Sequence, residues 1–318
     1  MNQQEQMIRQ IVKASVIQYA QWFSDRHLSE YDDDQGTLNM KIHNVFIAKL
    51  GPEIQFFSAL SRSLDSSLGN MLEKMAIMIA ELNYDVASRV EWPLYPAQTS
   101  YIAELLEKYK RHEIKPQITD YNEKMKQLRT TEILQTKRHE SDYYLVDKET
   151  EKKYLIELKI GWDLDNKKAR SEKEALLEQY AILSNTCGDE VHIYFATAYN
   201  RYWENKEWKQ ERVKQFFSKD ELLIWKDFWN FICKSDLGYQ IVINELNQHS
   251  QRLNCILLNK NTYIWTSLYS NKIFNDKSRS NRKTYGRLLM NCYMGNNLQW
   301  NWKILSWSKK NERLASLT

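Results

Sequence analysis

The chain has 318 residues, of which 42% are hydrophobic, enough to bury a sizeable core in one large domain or two smaller ones. Its net charge of +4 is mildly basic, which permits nucleic acid as a partner without requiring it. The sequence has no run of about 20 apolar residues, no leader-like N-terminus and no paired cysteine spacing, so it predicts a cytoplasmic protein without a membrane span, zinc site or disulfide framework.

The first part of the chain, residues 1–62, is predicted to be helical. Apolar residues recur at helical spacing over 3–25, and shorter helices are expected near 42–50 and 52–62. An amphipathic helix should follow over 64–82, with Asp65 or Ser66 as its N-cap. Its broad apolar face would carry Leu64, Leu68, Met71, Leu72, Met75 and Ile79.

A second face of that helix combines small residues with one acid. Gly69, Ala76 and Ala80 permit close packing, and Glu73 falls on the same stripe. A carboxylate in this position can point inward at a sheet. The alternative is an ordinary exposed glutamate beside Lys74, and the sequence leaves both interpretations open.

The most informative stretch runs from 142 to 198 and predicts the order strand, turn, strand, helix, strand. Two strands, 142–147 and 152–160, enclose the polar turn 148–151. The helix covers 166–183 and shows an apolar stripe. The mostly apolar run 191–196 suits a parallel strand that is covered on both faces, reached by a right-handed crossover.

The hairpin brings two acids together. If Asp147 pairs with Lys152 across the turn, Asp142 lies opposite Glu157, and directly opposed Cβ atoms are about 5 Å apart. Carboxylates this close repel each other, and a hard divalent cation such as Mg²⁺ would remove the repulsion. Lys159 follows two residues later on the same face.

Two alternatives to this site remain open from the residues alone. Acids and a lysine on one strand face can belong to a solvated surface hairpin, although the apolar pair 155–156 and the following crossover favour a buried sheet. In the same register Glu140 faces Lys159, so it is a salt-bridge partner or, if the pairing slips, the metal ligand itself.

The pattern of Asp142, fourteen intervening residues and then Glu157-Leu158-Lys159 resembles the PD-(D/E)xK nuclease superfamily, with Ser141 where the proline stands. The resemblance implies an α/β, restriction-endonuclease-like core, in which helices flank a mixed central sheet. It also implies Mg²⁺, replaceable by Mn²⁺, held by Asp142, Glu157 and the carbonyl of Leu158. Lys159 would orient the attacking water, and Glu73 would be the acid that the first core helix often adds.

Two phrases narrow this resemblance. The run 66–74 is similar to an "SLGxxLE" opening, and 228–232, Phe-Trp-Asn-Phe-Ile, is similar to a later "FWxFI" region of TdeIII-like type II restriction endonucleases. That likeness covers about residues 55–245. It implies a homodimer that cuts double-stranded DNA at a short palindrome, with GGNCC-type sites as a possibility, and a cognate DNA methyltransferase encoded nearby.

Basic segments are the candidate DNA contacts. The stretch after Lys159 carries Lys167, Lys168, Arg170 and Lys173, and it would either meet a bound phosphate or simply cap the helix. The C-terminal region, 246–318, is expected to contain β-structure and is basic and rich in tryptophan. Its basic run can pair with phosphates, although charge runs are usually solvated loops: Lys277, Arg279, Arg282, Lys283 and Arg287.

The sequence therefore predicts three parts: a helical region 1–62, a nuclease core 63–245, and a region 246–318 for DNA contact or dimerisation. The favoured function is that of a type II restriction endonuclease. The alternatives are a structure-specific nuclease of DNA repair or recombination, and a non-catalytic DNA-binding protein on the same fold.

Overall fold

The computed structural model describes residues 3–31, 45–50, 52–129, 135–160, 164–187, 191–203 and 206–249. In parts of these ranges, including 135–142, it describes the backbone alone. The chain divides into two compact units, Met1–Lys260 and Asn261–Thr318. The second unit lies outside the described residues, and with it the predicted basic contacts Lys277, Arg279, Arg282, Lys283 and Arg287.

The core is a mixed sheet of five strands in the order β1-β2-β3-β4-β5. Strands β1 (Tyr84–Leu94), β2 (Gln135–Asp147) and β3 (Lys153–Lys159) pair antiparallel. Strands β4 (Val191–Thr197) and β5 (Leu222–Ile224) run parallel to β3. Helices flank this sheet, so the predicted α/β class with a mixed central sheet is confirmed.

The helices form a layer on each face of the sheet. Long helices α1 and α3 precede β1, α4 and α5 lie between β1 and β2, and α6 is the crossover from β3 to β4. The bounds are α1 Gln3–Tyr31, α2 Val45–Lys49, α3 Pro52–Ala80, α4 Pro96–Lys110, α5 Asn122–Gln127, α6 Asn166–Cys187, α7 Glu211–Lys214, α8 Lys226–Cys233 and α9 238–249. Among the described residues no helix is long and apolar enough to cross a membrane.

One hydrophobic cluster lies on each face of the sheet. The cluster with α4 to α7 on one face contains Leu155, and the cluster with α1, α3, α8 and α9 on the other contains Ile156 and Leu158. Successive residues of β3 thus enter different clusters, as the predicted alternation requires. Burying each of these side chains contributes about 1.5–3 kcal/mol.

The crossover helix agrees with its prediction. The stripe expected on α6 is buried along its whole length: Ala169, Leu176, Leu177, Tyr180, Ala181 and Leu183. Strand β4, predicted as a covered parallel strand, places Ile193 and Phe195 in one cluster and Ala196 in the other. Burial on both faces therefore accounts for the continuous apolar run.

The helix predicted over 64–82 differs from the structure. Helix α3 already begins at Pro52, so Asp65 and Ser66 are interior positions and neither caps it, and the separate helix expected over 52–62 is its first half. The predicted boundary between 62 and 63 falls inside this helix, while the three-part division itself stays a prediction.

The packing face of α3 also differs in part. Leu68 is 36% exposed, whereas the small residues Gly69, Ala76 and Ala80 are buried. A Cβ atom on Gly69 would lie 2.8 Å from Cδ1 of Ile160, so a larger residue there would require the Ile160 side chain to shift. Close approach therefore selects the small-residue stripe as the innermost part of the helix.

A buried ion pair fixes α6 to the segment before β5. Lys173 is fully buried, which lowers the pKa of its ammonium, and its Nζ donates to a carboxylate oxygen of Glu221. The hydroxyl of Tyr121 donates to the same oxygen at 2.7 Å, and the ring of Phe217 lies 4.9 Å from Nζ. Lys173 is therefore the member of the basic segment 167–173 whose ammonium is paired inside the protein and not exposed at the surface.

We expect Glu221→Gln to lower the free energy of unfolding by about 3–5 kcal/mol, because it leaves a buried ammonium without its counter-charge. Adding Lys173→Met should recover most of this loss, since the double variant buries no charge. Urea denaturation of the wild type and the two variants measures both effects. A cost below about 1 kcal/mol for the first substitution would contradict the buried pair.

Candidate active site

The hairpin register is the one predicted. Tyr143 pairs with Ile156, and the amide of Asp147 donates to the carbonyl of Lys152 at 2.9 Å. In an antiparallel pair the two residue numbers of each couple have a constant sum, so one register fixes every opposed position. The two-residue alternation then determines which side chains share a face.

Continuing this register by one pair places Asp142 opposite Glu157. Strand β2 also has a bulge there: the pairing with β1 jumps so that residues 141–143 face one residue of β1. Bulges bend a strand and re-aim side chains, and they are common beside active sites. The side chains of Asp142 and Glu140 lie outside the described part, so their approach to Glu157 and Lys159 stays a prediction.

Glu157 and Lys159 meet at the end of β3, as expected. The Glu157 residue is 9% exposed, and its Oε1 accepts a hydrogen bond from Nζ of Lys159. A second acid, Glu172 of α6, contacts the same Nζ at 3.0 Å. Burial lowers the pKa of Lys159, but the charges of Glu157 and Glu172 outweigh burial and hold that pKa above its ordinary value. The lysine is therefore an ammonium shared by two carboxylates.

Glu172 is the residue that the sequence analysis missed. Residues 169 and 176 belong to the buried stripe of α6, and Glu172 lies three residues after the first and four before the second. Helical spacing therefore places it on the inward face of α6, next to the sheet. This helical spacing is the sequence feature from which the inward position of Glu172 could have been predicted.

Thr197 of β4 adds a hydroxyl next to Lys159. The two residues are paired in the parallel register, and Phe195, two residues earlier, belongs to the cluster on the α6 face. Thr197 is 2% exposed, and within the described residues its Oγ1 has no hydrogen-bond partner. Burying such a group costs about 1–3 kcal/mol. The hydroxyl suits a water or an anionic oxygen bound at this end of the sheet.

Glu73 lies on α3, which packs on the opposite face of the sheet from α6. Its backbone carbonyl accepts a hydrogen bond from the Tyr143 hydroxyl at 3.0 Å, and its side chain is half-buried. The small-residue stripe that contains Glu73 does face the core, as one of the two interpretations requires. A role in metal binding stays a prediction.

The basic segment before and within α6 divides into two groups. Lys167 and Lys168 are exposed in its first turn. Arg170 instead donates to Glu107 of α4 at 2.9 Å, and Asp165 accepts the amide of Lys168 at 2.8 Å, so the segment also caps the helix. The two exposed lysines remain candidates for phosphate contact.

No group of three or more His, Cys, Asp or Glu side chains suited to a metal occurs among the side chains that the structure describes. The acids brought together there are Glu157 and Glu172, with Lys159 between them. A cation site at this end of the sheet therefore needs a further oxygen ligand, which is the place predicted for Asp142.

A mixed sheet flanked by helices, with an acid and a lysine two residues apart at the end of its central strand, defines a restriction-endonuclease-like core. The model of the family described as "Type II restriction endonuclease, HinfI" matches residues 1–250. The chain belongs to this HinfI family, and the predicted restriction-endonuclease class is confirmed. No curated protein matches the chain. The finer likeness to TdeIII-like enzymes stays a prediction.

We expect Thr197→Val to raise the free energy of unfolding by about 1 kcal/mol, because it keeps the side-chain shape and removes a buried hydroxyl that lacks a partner among the described residues. Thr197→Ser should be less stable than wild type, since it keeps the hydroxyl and loses a methyl group. Urea denaturation distinguishes the two. A loss of stability in Thr197→Val would mean that the hydroxyl is satisfied in the free protein.

Proposed function

We propose that this protein is a Mg²⁺-dependent type II restriction endonuclease that hydrolyses phosphodiesters of double-stranded DNA at a short palindromic site. Membership of the HinfI family supports the class. The observation that carries the proposal is the contact between Glu157 and Lys159 at the end of the central strand. Such a pair supplies an acid for a cation and an ammonium for a developing negative charge.

The residues at this edge fit a hard divalent cation. Mg²⁺ prefers oxygen ligands and keeps several waters, and Mn²⁺ can replace it. Glu157 provides a carboxylate, Leu158 a backbone carbonyl and, in the predicted geometry, Asp142 the second carboxylate. The hydroxyl of Thr197, which has no hydrogen-bond partner among the described residues, lies on the strand position paired with Lys159 and can accept a hydrogen bond from a bound water. A bound Mg²⁺ supplies Lewis-acid activation of the scissile phosphate and of water.

Lys159 has the role that requires a compact positive charge. Its ammonium can hold the attacking water by a hydrogen bond and offset the charge that develops on the phosphoryl oxygens. The partial burial of Glu157 and Lys159 lowers the local dielectric constant, which strengthens both interactions. Because Glu157 and Lys159 lie in the part of β3 that pairs with β4, their backbone needs little rearrangement during the reaction.

DNA would approach this edge from the side of Lys167 and Lys168, and the basic run of the C-terminal unit is a second proposed contact. A palindrome has two-fold symmetry, so the enzyme would act as a homodimer with one site for each strand. A GGNCC-type sequence is one candidate site, and a methyltransferase encoded nearby would protect it in the host.

The proposal predicts that wild-type protein cuts plasmid DNA into discrete bands with Mg²⁺ and not with a chelator. Glu157→Gln and Lys159→Met should each lower the cleavage rate at least 100-fold, the size typical for a group that stabilises transition-state charge. Glu123→Gln, which changes an acid on α5 that is 76% exposed, is the matched control and should cut normally. Undiminished cleavage by Glu157→Gln would remove the site assignment.

Sequencing the cut ends tests specificity and symmetry together. A homodimer on a palindrome should give one recurring sequence with breaks placed symmetrically on the two strands, and sedimentation should give twice the chain mass of 38.2 kDa. Breaks that follow DNA ends or junctions, without a common sequence, would favour a structure-specific nuclease instead.

A further inference from the structure

The contact of Glu172 with Lys159 has no role in the function described so far. Glu172 projects from α6, whereas Glu157 and Lys159 belong to β3, so two different elements converge on one ammonium. The side chains are 24% exposed for Glu172 and 28% for Lys159, so water screens the contact only in part.

Lys159 and the proposed cation compete for the carboxylate of Glu157. A divalent ion held by Glu157 would bring two positive groups to one carboxylate, and the ion would repel the ammonium. If Glu157 were its sole anionic partner, Lys159 would then lose much of what holds it at the reacting phosphate. A second carboxylate on another element keeps the ammonium in place while Glu157 serves the cation.

We infer that Glu172 is a positioning residue that holds the ammonium of Lys159 at the scissile phosphate when a divalent cation occupies Glu157. The inference rests on the proposed nuclease function, because it assigns Glu172 a part in that same site. In this assignment Glu172 acts through Lys159, which it contacts at 3.0 Å, and leaves the cation to Glu157 and the other proposed ligands.

The position of α6 supports this assignment. Lys173, the next residue, is fully buried in its ion pair with Glu221, so the backbone that carries Glu172 is fixed against the sheet. Arg170, two residues earlier, is bonded to Glu107 of α4. The backbone of Glu172 therefore has little freedom to move, and its carboxylate stays close to the end of β3.

The test compares Glu172→Ala with Glu172→Gln in the full-length protein. The amide oxygen of glutamine still accepts a hydrogen bond from an ammonium, whereas alanine offers no acceptor. We expect the alanine variant to lower kcat at least tenfold with KM changed less than threefold, and the glutamine variant to recover most of the rate. Glu174→Gln, two residues along and on another face of α6, is the matched control and should cut as wild type does.

Two further measurements separate positioning from other roles. Binding of Mn²⁺ alone, followed by calorimetry, should change less than about threefold in Glu172→Ala. In a Lys159→Met background, Glu172→Ala should have no additional effect on the residual cleavage rate, because the residue through which it acts is gone. The melting temperature of each variant checks that the loss of rate does not follow unfolding.

The opposing outcomes are distinct. A loss of Mn²⁺ affinity of 10-fold or more in both Glu172 variants would make Glu172 a ligand and overturn the positioning role. Equal damage by alanine and glutamine with unchanged Mn²⁺ binding, or full activity of Glu172→Ala, would also overturn it. A wild-type protein that cuts no DNA under any condition would remove the proposed function and this role with it, whereas active wild type with active Glu172→Ala removes the role alone.

Discussion

The position of β3, held by neighbouring strands on its edges and by hydrophobic clusters on its faces, is the constraint on which the rest of the structure depends. This strand pairs with β2 antiparallel and with β4 parallel, so its backbone has hydrogen-bonding strands on both edges. Its side chains enter two separate hydrophobic clusters in turn, with Leu155 in one and Ile156 in the other. A shift by one residue would exchange the clusters and bury Glu157 among apolar side chains, and this forbids slippage. The polar end of β3 is therefore placed by the apolar part of the same strand.

Two adjacent residues of opposite charge on α6 contact different parts of the sheet region: one reaches β3, and the other reaches the segment before β5. Lys173 lies in the interior with Glu221, and Glu172 reaches the ammonium of Lys159. Isolated buried ion pairs add little net stability, but they penalise any arrangement that separates the partners. We interpret the ion pair between Lys173 and Glu221 as the contact that fixes the rotation of α6 about its axis. Once that rotation is set, Glu172 necessarily faces the end of β3.

Local patterns were sufficient to predict the hairpin of β2 and β3, the crossover helix and the parallel strand β4, whereas β1 and β5 were not predicted. The turn that joins Asp147 to Lys152 determined the hairpin register, and the period of α6 determined its buried stripe. The predictions that were wrong concerned features that depend on contacts between residues distant in sequence. Asp65 and Ser66 have the residue types of an N-cap, yet both are exposed on a continuing helix, where their weak helix propensity costs only a few tenths of a kcal/mol. Leu68 is exposed and Gly69 buried because Ile160, about ninety positions later, approaches α3 at that point. Lys173 was interpreted as part of a segment that meets a phosphate or caps the helix, and Glu172 was given no role, since charge alone does not reveal which members of a charged segment face a partner.

The charges at the end of β3 explain why the arrangement suits a cation. Two carboxylates, Glu157 and Glu172, share one ammonium, so these three side chains together carry a charge of −1. The predicted approach of Asp142 on the bulged part of β2 would make it −2, which one divalent ion neutralises. Partly buried charges of one sign are costly unless they are compensated, so the protein without its ion should tolerate the site only because Lys159 bridges the two acids. In the proposed function, the same ammonium that bridges the two acids would also meet the negative charge of a phosphate. In the proposed function, a bound cation and the lysine would share the same negative charge, and the amount of that charge would limit how many positive groups the site holds at once.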